Sequence, residues 1–179
     1  VEDARHMLAG ALKDPDPVII FEHAALFSIK ESIDPSVTGV PIRGARIMRS
    51  GNDISLITYG GSLHKAMDAA TILIKEGIDC EVIDLRSLRP LDTETIVNSA
   101  RKTSRTIVID EGWRSVGIGA EISARITEEA FYDLDHPVIR IATAEAPVPY
   151  AKHLEYFAIP QTESIVETVR KIFSNGNKA

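Results

Sequence analysis

Cysteine is nearly missing from this sequence. Cys80 is the one thiol in 179 residues, so no disulfide can close within the chain and a reducing compartment is expected. Its position in the apolar run Cys80 to Leu85 makes it a packing residue, not a reactive thiol. Basic charge is short as well: 20 Lys and Arg stand against 26 Asp and Glu, a net of -6. No basic stretch could neutralise a row of phosphates, which argues against nucleic acid as a partner. No apolar run reaches the length of a membrane span and no signal peptide opens the chain, so no membrane partner is expected. The five histidines, at 6, 23, 64, 136 and 153, show no metal-ligand spacing on a shared helix face. What remains, 44% hydrophobic and 26% charged, is the composition of a folded globular domain.

An amphipathic pattern is already running at the first residues: Ala4, Met7, Leu8, Ala11 and Leu12 share one helical stripe. A chain that opens on Val1, beside a helix, is expected to be part of something longer. That helix should stop at Lys13-Asp14-Pro15-Asp16-Pro17, where two prolines forbid continuation. Val18 to Phe21 reads as a buried parallel strand. Glu22 to Gly44 lacks periodicity and marks a domain boundary. From Ala45 onward a hairpin-like opening leads to the strand Ile54 to Tyr59. A helix striped by Leu63, Met67, Ala70 and Ile74 follows, closed by Gly77. Then come the strand Cys80 to Leu85, a helix capped by Asp92, and the strand Thr106 to Ile109. A helix through Ile118, Ile122 and Ile126, the strand Val138 to Ala142, and a last helix through Ile165, Val169 and Ile172 complete the order. Alternation of this kind implies an α/β fold with a doubly wound, mostly parallel sheet. The tail 175–179 is expected to fray.

Several short segments invite a chemical reading. Gly60-Gly61-Ser62-Leu63-His64 sits where a nucleophile elbow would, but His64 stands where the elbow needs glycine; Ser62 as a helix N-cap accounts for it. Gly117-Ile118-Gly119 opens like a dinucleotide fingerprint, yet Ile122 replaces the third glycine, leaving close backbone packing at a helix start. His23, at a strand end, is expected to be buried with a satisfied hydrogen bond. Asp14 and Asp16 lie in a turn whose oxygens could hold a hard cation, although turn formation is their commoner role. Trp113 reads as a packed anchor or an interface contact. Ala146 to Tyr150 should run extended with Tyr150 packed beneath it, subunit contact being the alternative.

Four segments in order resemble one family. Val82-Ile83-Asp84-Leu85-Arg86-Ser87-Leu88-Arg89-Pro90-Leu91-Asp92, Gly117 to Ile122, and Pro147-Val148-Pro149-Tyr150-Ala151-Lys152 with Leu154-Glu155 and Pro160 are similar to beta subunits of the thiamine-diphosphate-dependent first component of 2-oxo acid dehydrogenase complexes. Upstream, Ala11 to Asp14, Pro17-Val18-Ile19 and Phe21-Glu22-His23 fit the same pattern. Pro149-Tyr150 favours the pyruvate dehydrogenase type over the branched-chain type, with acetoin enzymes close. Thr143 and Glu145 depart from the glycine and aspartate usual there.

The resemblance implies a division of the chain. Residues 1–23 would end a pyrimidine-binding domain, 24–44 would link, and 45–174 would form a transketolase-type C-terminal domain. It implies oxidative decarboxylation of a 2-oxo acid with acyl transfer to lipoyl. Thiamine diphosphate and magnesium would be held in the full complex and not by this chain, because the catalytic glutamate belongs upstream of Val1. It further implies an alpha subunit and a second beta subunit as partners, with the subunit-binding domain of an acyltransferase core docking near Asp135 and Tyr150. A structural potassium site would fall on Ala11, Leu12, Asp14 and Asp16. The setting would be bacterial cytoplasm or mitochondrial matrix. A different class stays open, a non-catalytic assembly or ligand-binding domain.

Overall fold

The structure, a computed structural model, describes residues 1–37, 39–40 and 42–176. Five strands form one sheet: β1 Arg46–Arg49, β2 Ile54–Thr58, β3 Cys80–Asp84, β4 Thr106–Trp113 and β5 Ile139–Thr143, in the order β1-β3-β2-β4-β5. All pairings are parallel except β1 with β3. The helices are α1 Glu2–Ala11, α2 Ser62–Leu73, α3 Thr93–Thr103, α4 Ile118–Ala130, α5 Lys152–Ala158 and α6 Thr162–Gly176. The expected α/β class is what forms.

Strand side chains alternate between two cores, as a pleated sheet covered on both faces demands. Ile54 and Leu56 of β2, Val82 of β3, and Ile107 and Ile109 of β4 pack with α2 and with Ile165, Val169 and Ile172 of α6. Ile57, Ile83 and Val108 point the other way, against Ile96 and Val97 of α3 and Ile122 and Ile126 of α4. Asp92 caps α3 as expected, accepting from the Thr95 amide at 3.0 Å. Gly77 closes the turn after α2 at φ 81, a conformation that only glycine adopts without strain.

Five expectations need correction. Val18 to Phe21 is not a strand: no strand lies beside it among the described residues, and Phe21 is 88% exposed. Apolar β-branched composition sets a propensity but supplies no ladder partner. β1 and β2 are not a hairpin, because β3 inserts between them. The stripe of α2 holds for Ala70 and for Leu63 and Met67, which pack against the core beside buried Ala66, Ala69 and Leu73, while Ile74 stands exposed in the following 3-10 turn. Tyr150 does not pack beneath its segment; it is 103% exposed. Of the tail expected to fray, Asn175 and Gly176 continue α6 instead, and 177–179 lie outside the described residues.

Candidate functional site

Crossovers in opposite directions leave one crevice at the carboxyl ends of the parallel strands. From β2 the chain passes to β3 on one side, and from β4 it passes to β5 on the other, so the sheet divides between the ends of β2 and β4. Open α/β sheets place their functional groups at such a switch point. Here its rim is Tyr59-Gly60-Gly61-Ser62 after β2 and Asp110-Glu111-Gly112 in the last turn of β4.

Glu111 is the centre of this rim. Its Oε1 accepts from Ser62 Oγ at 3.0 Å and from Lys65 Nζ at 3.0 Å. Its Oε2 lies 2.8 Å from His23 Nε2. Burial works to raise the Glu111 carboxyl, but the Lys65 ammonium and the His23 and Ser62 hydrogen bonds outweigh it and hold the group below its ordinary value. Beside it the Tyr59 hydroxyl donates to Asp110 Oδ1 at 2.7 Å. Burial first, then that carboxylate, drives the Tyr59 phenol far above its ordinary range. Asp110 also accepts from the Gly112 and Gly119 amides, at 2.7 and 3.3 Å, which ties the end of β4 to the start of α4.

The order of these groups decides their chemistry. A Ser-His-acid relay places the histidine between the serine and the acid. Here the acid stands between the serine and the histidine, so that relay is not formed. The arrangement saturates a carboxylate and braces three elements.

Ser62 therefore does not cap α2. Gly61 holds the N-cap position with no side-chain cap, and Ser62, one residue inside the helix, turns its hydroxyl across the crevice. His23 has its expected hydrogen bond but keeps 37% of its side chain exposed. Glu111 and Lys65 were invisible to motif reading; the switch-point rule applied to the strand order is the signal that finds them. Gly117 does serve close packing, since a Cβ there would run into the Trp113 carbonyl, whereas a Cβ on Gly119 would meet only ordinary contacts.

The remaining predicted residues lie away from this crevice. Ala11 ends α1, its carbonyl accepting from the Asp14 amide at 3.2 Å, and exposed Leu12 follows. Asp14 Oδ1 accepts from the Asp16 amide at 3.0 Å, and its Oδ2 lies 3.6 Å from Arg43. The Asp14 carboxylate is thus engaged within the turn and with Arg43. Among the described residues no group of three or more His, Cys, Asp or Glu is fit for a metal, and no helix is long and apolar enough to cross a membrane. Asp135 pairs with Arg105 at 2.9 Å and keeps 59% of its side chain exposed. Tyr150, Trp113, Val116 and Phe157 are all exposed, and Glu145 accepts from Ser115 N and Oγ at 2.9 and 2.5 Å.

Comparison with known proteins places this geometry. The family described as "Transketolase, C-terminal domain" matches residues 44–165. The chain is 43% identical to the mitochondrial pyruvate dehydrogenase E1 component subunit beta of Drosophila melanogaster, over 96% of this chain and 48% of the relative. It is 46% identical to subunit beta-2 of Oryza sativa subsp. japonica, over 95% and 46%. For the subunit beta of Rickettsia felis the identity is 36%, over 96% and 52%. The chain spans about half the length of these relatives. Among solved structures, a split-gene transketolase described as an inactive beta4 tetramer superposes with a TM-score of 0.67 at 25% identity, covering 80% of this chain and 45% of that one. The chain belongs to the transketolase C-terminal domain family, and its similarity to pyruvate dehydrogenase E1 beta subunits runs through nearly all of it.

Proposed function

We propose that this chain works as the C-terminal domain of the beta subunit of a pyruvate dehydrogenase E1 component, joining subunits without supplying the reacting groups. The observation that carries the reading is the similarity across 95–96% of the chain to relatives bearing that name. The crevice supports it, because its one central carboxylate is fully engaged by Ser62, Lys65 and His23. Large exposed apolar side chains, Trp113, Tyr150 and Phe157 among them, agree with a role in contact between subunits.

In this reading residues 1–23 complete a neighbouring pyrimidine-binding domain, 24–44 link, and 45–174 form the joining domain. Thiamine diphosphate with magnesium is held between an alpha subunit and the rest of the beta subunit, and supplies the electron sink for decarboxylation of the 2-oxo acid. The partners are the alpha subunit, a second beta subunit, and the subunit-binding domain of the acyltransferase core near Asp135 and Tyr150. Oxygens of the turn at Ala11, Leu12, Asp14 and Asp16 hold potassium. Coincident melting curves with potassium and with an equal concentration of choline chloride would remove the potassium site.

The deciding experiment uses the full-length beta subunit co-expressed with its alpha subunit. With thiamine diphosphate and magnesium the pair should acetylate a lipoyl domain from pyruvate, and the 179-residue chain alone should not. Turnover confined to another 2-oxo acid would reject the pyruvate assignment. Turnover by the chain alone would reject the assembly role.

A further inference from the structure

We infer that the switch-point crevice is a socket for the His23 imidazole, by which the segment Val18 to Leu26 is pinned to the C-terminal edge of the sheet. Ligands of α/β proteins sit at this place in the sheet; here a side chain of the same polypeptide occupies it. The inference concerns the chain's own architecture and holds whichever subunit the chain serves.

Three observations carry it. First, the floor under the ring is shaped by an absence: a Cβ on Gly61 would lie 2.6 Å from His23 Nε2 and 2.9 Å from both Cδ2 and Cε1. Gly61 has φ -63 and ψ -30, which any L-residue adopts. Glycine is thus needed there for space, not for backbone freedom. Second, the polar wall is fixed before the ring arrives, because Ser62 and Lys65 occupy Glu111 Oε1 and leave Oε2 for the imidazole. The other ring nitrogen, Nδ1, is enclosed with no partner among the described residues, as expected of a ring seated in a crevice. Third, the contact is isolated. Among the described residues no other hydrogen bond or ion pair joins residues 18–29 to the sheet or its helices. Ile19, Phe21 and Phe27 on either side are exposed. One side chain therefore decides whether this segment lies against the domain.

A single hold predicts local and not global release when it is lost. Exposed Phe21 and Phe27 offer chymotrypsin sites that report release. In the 179-residue chain, His23→Gly should raise the cleavage rate at these two sites by at least about fivefold while the melting temperature of the domain stays in place. Gly61→Ala should do the same, because its methyl takes the ring's space. Free imidazole supplies the specific readout. At about 50 mM, within the effective concentration of a short tether, it should shift the Gly60 and Gly61 amide resonances of His23→Gly saturably. It should leave those of the wild type, whose socket is full, and of the His23→Gly/Gly61→Ala double variant, whose socket is blocked, unmoved. Equal cleavage rates in wild type and both single variants would overturn the inference. So would imidazole shifts that are absent in His23→Gly or undiminished in the double variant.

Discussion

At the scale of single residues, three side chains are set by their neighbours in ways that can be measured. Glu111 is held below the ordinary carboxylate value of 4.5 against the opposing effect of burial. A depressed folded-state pKa contributes stability that is present above 4.5 and lost as pH falls through the lower folded value. Glu111→Gln should therefore flatten the acid limb of a plot of urea midpoint against pH, and should lower the midpoint near neutrality by leaving Lys65 without its counter-charge. An acid limb as steep as that of the wild type would show that other carboxylates govern it. Asp92 is a second case. Burial raises its carboxyl, but hydrogen bonds from the Thr95 hydroxyl and amide and from the Ala45 amide outweigh that and lower it. Asp92→Ala should cost about 1–2 kcal/mol by urea unfolding, the usual loss for an N-cap, and Asp92→Asn should restore part of it. Cys80 goes the opposite way: burial pushes its thiol up to about 12. It should resist a thiol reagent at mildly alkaline pH in the native protein and react at once in concentrated guanidinium, which a free-thiol titration reads directly.

At the scale of elements, position in the sheet outweighs composition. Ile57 on the central strand β2 is fully buried, whereas Ile47 on the edge strand β1 is half exposed. The same change to alanine should cost about 2–5 kcal/mol at Ile57 and under about 0.5 kcal/mol at Ile47, compared by urea midpoints. Similar losses at both would contradict the layering. The contrast also explains which parts of the fold were legible in the sequence. β2, β3 and β4 were readable as short apolar runs of strands covered on both faces, and the helices α3, α4 and α6 by a face of period 3.6. The Asp92 cap and the Gly77 stop were readable because each needs only its own neighbours. Val18 to Phe21 is more apolar than β3 but has no adjacent strand among the described residues, and pairing between distant segments has no local code. The insertion of β3 between β1 and β2 is hidden for the same reason. α5, seven residues long behind two prolines, carries too few turns to show a period. At the crevice, Ser62 and His23 drew attention through motif shape. Glu111 and Lys65 did not, because their meeting depends on a crossover that brings β4 beside β2.

At the scale of the whole molecule, charge holds the parts together and apolar surface is left for others. Helix α1 is fastened to the sheet edge by Asp3 with Arg86 at 3.1 Å and Glu2 with Arg46 at 3.4 Å, and the segment after it by His23. Beyond these ties the molecule exposes Trp113, Val116, Tyr150 and Phe157. Exposure of this size is costly to leave in water and is covered when subunits meet. Tyr150 separates folding from assembly most cleanly, because it is fully exposed and no hydrogen bond or ion pair involves its side chain among the described residues. Tyr150→Ala should leave the urea midpoint of the chain within about 0.5 kcal/mol of the wild type, as exposed positions do. In the full-length beta subunit it should weaken association with the partner subunits by about tenfold or more, the loss typical of a buried aromatic anchor. Sedimentation over a concentration series reads that shift. If association were unchanged, the contact surface would lie elsewhere, and the exposed ends of α1 and the Val18 to Phe21 row would be the next to substitute.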